Sequence, residues 1–107
     1  MWRRFTKKQC RLFVDFILNE FGLPPVNFNI STTAWAIGWY LLPEPNRLPA
    51  ILVSRHLPLN QRGPTLCHEL AHHFCYVLGL ESRGNSHNEY HKTYTDIFCA
   101  RLVKWEG

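Results

Sequence analysis

The segment PTLCHELAHHFCYV, residues 64–77, carries His68, Glu69 and His72 in the pattern H-E-x-x-H. On a helix, residues four apart share a face, about 40° apart around the axis, so His68 and His72 can aim ring nitrogens at one ion. Glu69 falls about 100° from His68 and flanks such an ion without having to bind it. A general base belongs there, beside a water that a zinc ion makes acidic, with a pKa of about 7. The chemistry is metal-assisted hydrolysis of a carbonyl group. On the opposite face Leu66, Leu70, Phe74 and Val77 form an apolar stripe. A zinc-binding helix needs this split, with the core behind it and a cleft in front.

A metal also needs a third protein ligand. Position 78, ten residues after His68, is leucine, which excludes the longer metzincin pattern. The ligand must come from GNSHNEYHKTY, residues 84–94, where His87, Glu89 and His91 are the candidates. Asn88 suits a helix N-cap. His87 then lies in an extended residue just before the helix, free to aim its ring sideways, and is favoured. His91, one turn in, and Glu89 remain alternatives. Glu89 could instead accept the second ring proton of a ligating histidine. A structural site would fill its fourth position from the protein, with Cys75 or His91, whereas a catalytic site leaves it to water. A structural site has no need of Glu69. Cys75 falls on the histidine side and reads as a small side chain under the loop rather than a redox-sensitive thiol. His73 reads as a packed or capping histidine at the edge of the core stripe, and Tyr90 and Tyr94 as packing residues.

The elements that must position these residues are legible from periodicity and turn chemistry. Residues 2–21 carry Phe5, Leu12, Phe13, Phe16, Ile17 and Phe21 at helical spacing, stopped by Gly22 and Pro24-Pro25. VNFNIS (26–31), AWAIGWYLL (34–42) and AILVS (50–54) read as strands, separated by the proline-rich PEPNRLP (43–49). The CHELAHH helix follows, with Pro64 in its first turn and Gly79 as its C-terminal cap. A final helix is expected from about Asn88 to Trp105. The order α-β-β-β-α-α gives one α+β domain, residues 1–107, with a small three-stranded antiparallel sheet.

From Ala50 to about Leu102 the sequence resembles the SprT-like minimal zincins, small H-E-x-x-H metallopeptidases. The likeness rests on ILVSRHLPLNQRGPTLCHELAHH and on HNEYH (87–91), where His91 stands in place of the family's aromatic residue. It implies a minimal zincin fold and a zinc-dependent endopeptidase, with His68, His72 and His87 as zinc ligands and Glu69 as general base. It also implies that the strand before the H-E-x-x-H helix, here AILVS, runs along the cleft and pairs with an extended peptide. The family's frequent C-terminal zinc ribbon is absent, and residues 1–49 match only in the order of elements. A second resemblance, through QR…HELAHH and DIFCARL, is to the ImmA/IrrE-like zincins, which cleave or inactivate repressors. Those usually carry acidic residues where this chain has Tyr94.

Composition sets the remaining bounds. The chain has 107 residues, is 46% hydrophobic and carries a formal charge of +4, so it can build one modest core and is only mildly basic. Arg3, Arg4, Lys7, Lys8 and Arg11 cluster near the N-terminus. They read as a solvated face, or as a docking surface for DNA or an acidic protein partner. Asp15, Asn19 and Glu20 interrupt the apolar stretch that follows, which argues against a signal peptide, and no run is long enough to span a membrane. A cytoplasmic protein is expected. None of its four cysteines forms a C-x-x-C pair. They read as free thiols, with Cys67 and Cys99 filling core space.

Overall fold

The computed structural model describes residues 2–32, 36–81 and 87–107. Helix α1 spans Lys7–Glu20. A reciprocal cap sets its start: the Thr6 hydroxyl accepts from the Gln9 amide at 3.2 Å, and the Gln9 side-chain carbonyl accepts from the Thr6 amide at 2.9 Å. The expected start at residue 2 is therefore too early. Trp2 to Phe5 precede it without regular structure, so Arg3 and Arg4 lie outside the helix. Cys10, Phe13, Val14, Ile17 and Leu18 are buried along its inner face, whereas Leu12 is exposed.

Strands β1 (Asn27–Ser31), β2 (Gly38–Leu41) and β3 (Ala50–Ser54) form one sheet in the order β1-β3-β2. β2 pairs antiparallel with β3, from Gly38 opposite Val53 to Leu41 opposite Ala50. β1 runs parallel to β3, so the sheet is mixed rather than wholly antiparallel. β3 is the central strand. Ile51 and Val53 are fully buried and only Leu52 is partly exposed, the continuous apolar burial expected of a strand covered on both faces. Both its edges are paired, so the sequence-based expectation that it binds a peptide is wrong. The edge strand on the site's side is β2.

Residues 59–61 form a single 3-10 turn leading into α2 (Arg62–Val77). Helix α2 ends as expected at Gly79, whose φ of 67° is left-handed, with the Gly79 and Leu80 amides returning to the carbonyls of Tyr76 and Cys75. Leu66, Leu70 and Phe74 enter the core, but Val77 lies past the covered length and is exposed. Helix α3 (Glu89–Lys104) packs across α2, buries Phe98 and Leu102, and seats Leu102 against Gly63. Trp105, just beyond α3, closes an aromatic cluster with Phe5 and Phe13 at ring separations of 5.6 and 5.3 Å. Among the described residues no helix is long and apolar enough to cross a membrane.

Candidate metal centre

Helix α2 turns its apolar face to the sheet and α1, which leaves His68, Glu69 and His72 toward a cleft against β2. The start of α3 completes the cluster. The Asn88 side chain caps that helix by accepting from the His91 amide at 3.1 Å. Its amide group also donates to the Leu80 carbonyl at 2.9 Å, tying the start of α3 to the end of α2. His87, immediately before the cap, then faces α2.

His68, His72, His87 and His91 lie close enough to hold one metal ion, with ligand atoms within 4.8 Å of one another. The Nε2 atoms of His68 and His87 are 3.3 Å apart. Two nitrogens bound to one tetrahedral zinc at the usual bond length stand about 3.3 Å apart. The rings of His68, His72 and His87 are separated pairwise by 4.8 to 5.2 Å. The three histidines expected from the sequence thus lie together, and His91 also joins the cluster. Glu89 and Cys75 do not. Glu89 is exposed on α3. Cys75 is fully buried, its thiol pushed up chiefly by burial, and so is not a reactive sulfur at the site.

The electrostatics suit a cation. Burial, followed by the neighbouring histidines, pushes His68 down to about 4 and His72 down to about 3. Burial likewise lowers His91. These rings are neutral at physiological pH and keep lone pairs for a metal. His72 Nδ1 lies 3.3 Å from Glu81 Oε1. Burial keeps the His72 ring uncharged, so the contact is a neutral imidazole N–H donating to the Glu81 carboxyl oxygen, not an ion pair. It leaves the Nε2 lone pair of His72 available to a metal. The role considered for Glu89 therefore falls to Glu81.

Glu69 is 5% exposed, and burial pushes its carboxyl up to about 7. It rests against the backbone of β2: a Cβ added at Gly38 would stand 3.0 Å from Glu69 Oε2 and 2.8 Å from Thr65 Cγ2. A cavity of about 390 Å³ opens on one side, bounded by Trp39, Tyr40, Leu42, His72, Glu81 and His87. Another of about 380 Å³ opens on the other, bounded by Ala36, Ile37, Gln61, Pro64 and Thr65. Gly38, His68 and Glu69 border both.

Sequence reasoning did not single out Glu81, Gly38 or Tyr40. Tyr40 donates its hydroxyl to His73 Nδ1 at 2.7 Å, and His73 Nε2–H donates to the Pro24 carbonyl at 2.9 Å. His73 is thus the packed histidine expected, a buried strut between α2, β2 and the chain before β1. Tyr94 packs on Phe74 with centroids 4.0 Å apart, and Tyr90 is exposed; neither borders the cavities. Comparison with family models, curated proteins and solved structures finds no match to this chain.

Proposed function

We propose that the protein is a zinc-dependent endopeptidase, with His68, His72 and His87 as ligands and Glu69 as general base. The observation that carries this reading is the position of Glu69, buried beside three convergent imidazoles and bordering both cavities along one sheet edge. The neutral imidazole donors and the carboxylate behind His72 fit zinc, which when bound would act as a Lewis acid and make a water acidic near neutral pH. Glu69 lies where a proton would be taken up and then handed to a leaving amine, and a carboxyl tuned toward neutrality suits both transfers. The two cavities flank it along β2, an edge strand that can pair with an extended peptide and carry the chain across the centre. Backbone pairing reads little sequence, so broad substrate choice follows.

A second reading is a non-catalytic, zinc-stabilised binding module. One observation favours it: His91 supplies a fourth imidazole, enough for a closed site. A narrower variant of the first is a repressor-cleaving peptidase. Zinc-loaded protein incubated with an unfolded protein substrate separates hydrolase from module. The hydrolase reading expects internal cleavage that stops on chelation and returns with zinc. Zinc-replete protein that cleaves nothing contradicts it.

A further inference from the structure

We infer that His91 is a positioning residue that locks the ligand pair of α2, and not a fourth ligand. The inference rests on the metal-binding half of the proposed function and is independent of peptide hydrolysis. Three observations separate His91 from the other histidines. First, its Nε2 is tied to the main chain of another histidine of the cluster: it lies 3.0 Å from the backbone carbonyl of His68 and, facing an acceptor, must carry the proton and donate, which leaves only Nδ1 able to meet an ion. Second, rings that radiate from one tetrahedral zinc stand about 5 Å apart between centroids. The His68, His72 and His87 rings obey this; His91 keeps 5.1 Å from His87 but closes to 4.5 Å from His68 and to 4.0 Å from His72, where the planes are only 29° apart and the two rings stack. Third, His68, His72 and His87 line the larger cavity, whereas His91 is 4% exposed and does not.

The consequence is mechanical. One side chain in the first turn of α3 grips the main chain of one ligand and the ring face of another. His87 lies only four residues earlier in the chain, and the Asn88 cap joins it to the same turn. His91 therefore fixes the distance between α2, which carries His68 and His72, and the start of α3, which His87 immediately precedes. Orientation of this kind typically sets metal affinity by about 10–100-fold.

The test uses zinc competition titrations and the visible spectrum of the cobalt-substituted protein for the wild type, His91→Gln and His91→Asn. Glutamine can place its amide nitrogen where His91 Nε2 lies and reach the His68 carbonyl; asparagine is too short. The expected result is wild-type zinc affinity and an unchanged cobalt spectrum for His91→Gln, with affinity about 10–100-fold weaker for His91→Asn. An asparagine variant that does not fold, beside a folded and zinc-competent glutamine variant, gives the same answer. Equal loss in both variants with an altered cobalt spectrum would make His91 a ligand. Unchanged affinity in both would make it a bystander. Either result overturns the inference.

Discussion

At the scale of single residues, Glu69 and the histidines respond to pH in opposite senses. The folded pKa of Glu69 is raised, to about 7 against an ordinary 4.5, so its charged form is disfavoured in the folded protein. The stability associated with its neutral form is intact below about pH 4.5 and is lost as pH rises through 7. Zinc-free Glu69→Gln is therefore expected to be more stable than the wild type at pH 8, by up to roughly 3 kcal/mol, with the difference closing as pH falls from 7 to 4.5. The folded pKa values of His68, His72, His73 and His91 are lowered. Their contribution is present above about 6.5 and is lost as pH falls, toward 4 for His68 and 3 for His72, so both proteins weaken in acid. Denaturant midpoints of the zinc-free proteins from pH 4 to 8 check both slopes. A second expectation concerns Glu81. Glu81→Ala removes the acceptor that orients His72, and zinc affinity should fall about 10–100-fold. Competition with a chromophoric chelator measures it, and unchanged affinity would mean that the 3.3 Å contact has no orienting role.

At the scale of elements, what could be read depended on whether the signal was local. The H-E-x-x-H face and the Asn88 cap are short-range patterns, and they brought His68, Glu69, His72 and His87 together as expected. Strand order is a long-range property. Even so, AILVS is apolar without alternation, the pattern of a central strand, while VNFNIS alternates like a strand solvated on one face. Read that way, AILVS could not have served as the open edge. Glu81 lies beyond the turn at Gly79, where nothing local reveals that the chain returns to α2. Gly38 did leave a signal, since a glycine inside a strand marks close backbone approach. Gly38→Ala is accordingly expected to keep zinc while displacing the Glu69 carboxylate, lowering turnover about 10–100-fold. Zinc content by native mass spectrometry, set beside cleavage rate, tests this; loss of zinc would mean that the strand supports the ligands as well.

At the scale of the whole molecule, folding reduces the basic cluster. Arg3 donates to the Trp105 carbonyl and lies over the Phe5 and Trp105 rings, at 5.5 and 5.6 Å from their centroids. Arg11 pairs with Asp15 at 2.9 Å and donates to the Val26 carbonyl at 3.2 Å. Arg3, Arg4, Lys7 and Lys8 are all exposed and would be the cations of the docking surface expected from the sequence. If duplex DNA binds this face, four phosphate contacts limit its salt dependence to a log–log slope no steeper than about −4. Neutralising the four together should then abolish that slope and leave zinc content unchanged. A steeper slope in a salt titration would place the contacts elsewhere.

The central claim joins one metal to one base, and it is tested most directly by measuring bound zinc and peptide cleavage in the same preparations of wild type and Glu69→Gln. The predicted result is one zinc per chain in both proteins, with cleavage about 10²- to 10⁴-fold slower in Glu69→Gln. Equal cleavage by two zinc-replete proteins would contradict it.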